Sequence, residues 1–171
     1  MEATLEPVRY FDDGDGVYAI LALEAYPQIA ERIGVLLGCF SVAEITMRDL
    51  LAKLLSVSQD EAHDILGHIR SHGLRVKLIE SIASTNPENS TKETIRNLLT
   101  EVDWLAKERN KYAHSFYAMP KDESDQRLIR VAFFSDQKKK PSYDEMTVAG
   151  VDADIARAKN LLILLWQTLR A

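Results

Sequence analysis

The chain has 171 residues, 46% of them hydrophobic and 27% charged, with a formal net charge of −5. That length is enough for one domain, 1–171, with a buried core, and the acidic balance excludes a protein that coats nucleic acid through a broad basic face. No apolar run reaches bilayer-spanning length and Met1-Glu2-Ala3-Thr4 lacks signal-peptide character, so a cytoplasmic protein with no membrane partner is expected.

Residues 1–24 read as an N-terminal segment whose main signal is the turn sequence Asp12-Asp13-Gly14-Asp15-Gly16. A calcium loop would need Glu at its twelfth position. Counting from Phe11, that position is Ala22, so a surface turn is the better reading. A helix is predicted from Pro27, where Ile29, Ile33, Leu36, Phe40, Ala43, Met47, Leu50 and Leu54 form one apolar stripe. Gly34 and Gly38 on it would admit a close helix, either within a bundle or across a dimer contact. Cys39 stands alone, which rules out an intramolecular disulfide, and reads as a small buried side chain. Glu44 and Arg48 are spaced for an i,i+4 surface pair, or for lining a cleft.

Ser58-Gln59-Asp60-Glu61 is a capping box and opens a second helix with Ala62, Ile65, Leu66 and Ile69 on its apolar face, with Gly73 as its stop signal. Asp64, His68 and His72 would share one face of it. They could hold a divalent metal, although a solvated polar face, with His72 charged near a helix C-terminus, is the simpler explanation. Another helical stretch carries Leu74, Leu78, Ile79 and Ile82. A loop containing Asn86-Pro87 follows, and Ser90-Thr91-Lys92-Glu93 is a second capping box that starts a long amphipathic helix. Beyond it, 119–150 reads as a loop and β-hairpin insertion, with strands at 127–134 and 142–148 joined through Lys138-Lys139-Lys140-Pro141. Those lysines, with Arg127 and Arg130, form a local basic patch that fits hairpin-loop solvation or guidance of RNA phosphates. A closing helix is expected from an N-cap at Asp152 to Arg170, and Trp104 and Trp166 read as packing residues. The fold class is therefore mainly α, an up-and-down helical bundle with a small hairpin before its last helix.

The chemistry concentrates at Arg109-Asn110-Lys111-Tyr112-Ala113-His114. The stripe of the long helix runs Ile95, Leu98, Val102, Leu105, then 109, then Tyr112 and Phe116, so an arginine occupies a slot meant for an apolar residue. A charge there needs an acidic partner such as Glu44, a wet cavity or a protein–protein seam. Asn110 and His114 share a face with Asp103 and Lys107, so the carboxamide can orient the imidazole. Arg109 and His114 lie about 140° apart around a straight helix. A second copy across a two-fold axis would close that gap.

Arg109-Asn110-x-x-x-His114, preceded by Leu105-Ala106-Lys107-Glu108, resembles the R-x(4–6)-H motif of HEPN domains, in which a polar residue, often Asn, follows the arginine. The resemblance extends over most of 25–171, though the motif alone carries chemical information. It implies a helical bundle that dimerises and, in many members, a metal-independent ribonuclease of toxin–antitoxin or phage-defence systems. On that basis Arg109 and His114 are catalytic. Asn110, Glu44, Arg48 and Lys107 orient or bind substrate, and no cofactor or metal is expected. The partners are an RNA substrate, a second copy and possible antitoxin or regulatory proteins. The reaction is 2′-hydroxyl attack on the adjacent phosphorus, with Arg109 stabilising the phosphoryl oxygens and one histidine per protomer providing a base and an acid per dimer. Dependence on a 2′-hydroxyl would confine it to RNA. Some members carry a modifiable tyrosine two residues after the histidine. Here that position is Phe116, with Tyr117 next to it, so regulation of that kind is not expected. The alternatives are a catalytically inactive HEPN module binding nucleotide or a protein partner, and a metal-dependent hydrolase built on His68 and His72.

Overall fold

A computed structural model describes residues 9–12, 17–20, 22–85, 89–119, 127–132 and 142–171. The described chain is mainly helical, with α1 at Pro27–Leu55, α2 at Gln59–Gly67, α3 at His72–Ser84, α4 at Asn89–His114 and α5 at Val148–Arg170. Its strands are β1 at Arg9–Asp12, β2 at Val17–Ile20, β3 at Phe116–Met119, β4 at Leu128–Ala132 and β5 at Ser142–Met146. The chain divides into two compact units, one of Met1–Val35 with Asn110–Asp154, the other of Leu36–Arg109 with Ile155–Ala171.

The second unit is the helical bundle. Leu36, Met47, Leu50 and Leu51 of α1, Ile79 of α3, Ile95, Leu99, Val102 and Leu105 of α4, and Leu161 and Leu165 of α5 are its largest fully buried side chains. Leu36, Met47 and Leu50 of α1 and Ile95, Val102 and Leu105 of α4 are positions that the three-and-four spacing marks, because a stripe of that period faces one way along a helix, whereas Leu51 and Leu99 lie next to those stripes. On α4 and α5, Arg157 Nε and Nη2 reach both carboxylate oxygens of Glu101 at 2.8 and 2.9 Å. Lys53 Nζ donates to the Thr168 and Leu169 carbonyls, covering acceptors that the end of α5 leaves open.

Local chemistry sets the helix ends. Pro27 occupies the first position of α1, where its missing N–H costs nothing. The helix stops through Ser56, whose φ of 56° is left-handed, with the Val57 N–H bonded back to the Ala52 carbonyl. The Ser58 capping box forms as expected. The Glu61 N–H donates to Ser58 Oγ at 3.2 Å, and the Ser58 N–H donates to Glu61 Oε2 at 2.8 Å. Three boundaries differ from expectation. The second helix ends at Gly67, and His72 opens α3 instead of closing α2. α4 already includes Asn89 and Ser90, so Ser90 is inside the helix. α5 starts at Val148, ahead of Asp152, because Thr147 Oγ1 accepts the Gly150 N–H and caps it there. Asp152 instead takes Arg32 Nε at 2.7 Å.

The other unit holds a five-stranded antiparallel meander in the order β1-β2-β3-β4-β5. The expected hairpin is present as β4 and β5, with Arg130 opposite Asp144. It is the last pair of a longer sheet, since β3 continues directly from the end of α4 and β1 and β2 extend it further. The aspartate-glycine turn at 13–16, the loop at 120–126 and Lys138–Lys140 fall outside the described residues. Gly34 and Gly38 face outward. Both are exposed, and a Cβ built at either meets nothing within 4 Å among the described residues. Tight packing inside a bundle therefore does not explain them. No helix of the described residues is long and apolar enough to cross a membrane.

Candidate functional site

α4 carries the motif, and its stripe is buried through Leu105 and again at Tyr112. Between them Arg109 is half-buried, its guanidinium carbon 5.5 Å from the centre of the Phe40 ring on α1. An aromatic face attracts a cation through its quadrupole, so Phe40 contributes to holding a charge in the stripe slot. Glu44, the acid expected for Arg109, is taken by Arg75 of α3 at 3.3 Å. Phe40 also meets the His72 ring, with centroids 5.8 Å apart at 51°. Arg109 and His72 thus flank one aromatic side chain, an association that no sequence spacing announces.

His72 is not the exposed, charged helix-end residue that its spacing suggested. Neither ring nitrogen meets a hydrogen-bonding partner among the described residues. Burial lowers its pKa below the usual imidazole value, opposed by Glu44 and Asp103 and reinforced by Arg75. The Asp64-His68-His72 ladder loses its basis too, because residues 68–71 separate α2 from α3. His68 Nδ1 turns back to the Asp64 carbonyl at 2.6 Å. Among the described residues, no three His, Cys, Asp or Glu are grouped so as to hold a metal ion.

Asn110 and His114 are exposed and belong to the unit that carries the sheet. α4 stays helical through His114. The end of α4 is held by two tyrosines. Tyr112 is buried and its hydroxyl donates to Asp154 at 2.7 Å. Tyr117, one residue into β3, donates to the Tyr112 carbonyl at 2.7 Å and satisfies an acceptor that a helix end would otherwise leave open. Burial pushes the Tyr117 pKa up to about 12, against a smaller pull from Arg130, so its hydroxyl stays a donor. Tyr117 therefore fixes where His114 is presented, a role its place in the sequence did not signal. Arg130 is buried as well, 4.9 Å from the Tyr112 ring centre and bonded to Asp144 at 2.9 Å. It is a structural cation and no part of a surface basic patch.

The remaining expected site residues have partners of their own. Lys107 forms an exposed i,i+4 pair with Asp103 at 2.7 Å. Glu44 and Arg48 do not pair with each other, since Arg48 lies 3.4 Å from Asp49. Both line a cleft of about 320 Å³ with Ser41, Ile45, His63, Leu66, Gly67 and Arg75. Cys39 is buried as expected, and that burial raises its thiol pKa against a weaker effect of Lys159. Trp104 packs under the Arg157 guanidinium at 3.9 Å, whereas Trp166 is 58% exposed and stacks with Arg170.

The motif thus offers a cation held by an aromatic ring and, five residues on, a solvent-reached imidazole at a braced helix end. Compared with known proteins, the chain matches no family model, no curated protein and no solved structure.

Proposed function

We propose that this chain is a metal-independent endoribonuclease of HEPN type, a cytoplasmic toxin or phage-defence effector that acts as a homodimer. The observation that carries the reading is the Arg109-Asn110-x-x-x-His114 motif, with Arg109 kept in an apolar slot by Phe40 and His114 exposed at a helix end. An exposed imidazole can exchange protons with a substrate, and a half-buried guanidinium acts in a lower dielectric than water. The reaction breaks the bond from phosphorus to the 5′ oxygen. The 2′ oxygen attacks, one His114 accepts its proton, and the His114 of the second copy protonates the leaving 5′ oxygen. The product is a 2′,3′-cyclic phosphate, with Arg109 neutralising the phosphoryl oxygens. Asn110 orients the imidazole, one helical turn before it. A second copy has an open surface to use on α1, where Gly38, Val42 and Ile45 face solvent, the last two at 48% and 51% exposure.

The test is RNA cleavage in EDTA by wild type, Arg109→Ala and His114→Ala, at concentrations where the oligomeric state is measured. Either substitution is expected to lower the rate by roughly 10²–10³, the usual effect of removing one group that stabilises transition-state charge. Cleavage that survives both changes removes the motif from the chemistry. The half-burial of Arg109 favours a second reading, a non-catalytic HEPN module that binds nucleotide or a protein partner. RNA binding by wild type without cleavage would select it.

A further inference from the structure

We infer that the cleft between α1, α2 and α3 is a binding site for a phosphate monoester, of the size and polarity of a nucleoside monophosphate. The inference does not rest on the nuclease reading, because neither Arg109 nor His114 lines this cleft. Its volume of about 320 Å³ is at the lower end of the range that small ligands fill.

Two guanidinium groups from different helices, Arg48 on α1 and Arg75 on α3, line it together, each side chain 27% exposed. Each already has a carboxylate beside it, Glu44 for Arg75 and Asp49 for Arg48, so a ligand anion competes with those carboxylates for a guanidinium. The two differ in how they are held. Arg75 is fixed, its Nε donating to the Ile69 carbonyl at 2.7 Å and its Nη1 to Glu44 Oε1 at 3.3 Å. Arg48 is loosely engaged, since Nε and Nη2 both lie 3.4 Å from one oxygen of its chain neighbour Asp49. Hydrogen bonds at that distance are weak, so exchange for a phosphate oxygen at a better distance is favourable. Glu44 offers an acceptor for a hydroxyl or amino donor, His63 and Ser41 supply polar edges, and Ile45 and Leu66 supply an apolar wall. One anchored arginine, one exchangeable arginine and a single carboxylate suit a ligand with an anionic end and a donor-bearing body. Gly67 completes the lining, and a Cβ there meets nothing within 4 Å among the described residues, so the space beside it is open.

Titration calorimetry on the full chain tests this with four probes: adenosine monophosphate, inorganic phosphate, adenosine, and a diadenosine dinucleotide with only an internal phosphodiester. The monophosphate is expected to bind saturably, phosphate more weakly, and adenosine not detectably. The dinucleotide should bind at least tenfold more weakly than the monophosphate, because its phosphate carries less charge. Arg48→Gln should weaken monophosphate binding about tenfold, and Glu44→Gln should strengthen inorganic phosphate binding severalfold by removing a competing anion. Gly67→Val, which adds bulk in open space, should abolish binding while thermal unfolding shows the fold intact. No saturable binding by folded wild type overturns the inference. So does equal binding by the Arg48 and Gly67 variants, or tighter binding of the dinucleotide than of the monophosphate. None of these results depends on RNA cleavage, so the two proposals fail separately.

Discussion

Phe40 is the point at which the motif's cation and a half-buried imidazole meet, and a double-mutant cycle measures what the cation contact is worth. The pair of changes is Phe40→Leu and Arg109→Met. Leucine keeps an apolar side chain in the half-buried Phe40 site and removes the ring. Methionine keeps the apolar stem of Arg109 and removes the charge. Phe40→Leu alone should cost about 1 kcal/mol, less than a fully buried aromatic would lose. Arg109→Met alone removes every contact the guanidinium makes, so its own cost is not specific to Phe40 and is read only within the cycle. The coupling is the informative term. At 5.5 Å from the ring centre the guanidinium is near the outer limit of the interaction, so about 0.5 kcal/mol is expected. Urea unfolding followed by circular dichroism and tryptophan fluorescence gives the four stabilities, and the slope with urea must stay constant for the cycle to be read. A coupling within about 0.3 kcal/mol of zero would refute the claim that Phe40 holds Arg109 in place.

Two further outcomes follow from groups that the folded chain holds in unusual states. The unfolded chain takes up a proton on His72 near pH 6.5, whereas the folded chain, with its lowered pKa, does not until lower pH. The unfolded state then binds more protons, so stability falls as pH drops from about 6.5 toward the folded pKa. One proton sets an upper limit of about 1.4 kcal/mol per pH unit, and solvent around a half-buried ring keeps the slope well under that. Urea midpoints at pH 7.5 and 5.5 should therefore differ less in His72→Phe than in wild type, and an unchanged difference rules this source out. Ser56 holds a left-handed backbone conformation with a side chain present, which costs about 1 kcal/mol relative to glycine. Ser56→Gly should raise the melting temperature by about 2–4 °C, and a lower value in the variant would count against that strain.

Much of the helical part was legible because the apolar spacing on α1 and α4 is regular and Pro27 and Ser58 are unambiguous start signals. Stops were harder. α1 ends on a serine where a glycine would have advertised the turn, and α2 ends six residues before Gly73, the expected stop. β1, β2 and β3 are each four residues long, too short for alternation to stand out beside the glycines and aspartates around them. The site shows the same division. Position 109 was conspicuous as a charge in an apolar rhythm, a property of one helix read along its own length. The contacts of Phe40 with Arg109 and His72, and of Arg75 with Glu44, join residues far apart in the chain. Local periodicity carries no information about such meetings. Tyr117 was hidden for the same reason. Its hydroxyl acts on a carbonyl five residues back, across the change from helix to strand.

That last contact turns 112–117 into a clip of fixed length. The hydroxyl of Tyr117 reaches the Tyr112 carbonyl only if four residues intervene, no more and no fewer. Side chains at 113, 115 and 116 can therefore drift or be redesigned, while an insertion or deletion among these residues would unfasten the helix end and carry the imidazole of His114 away with it.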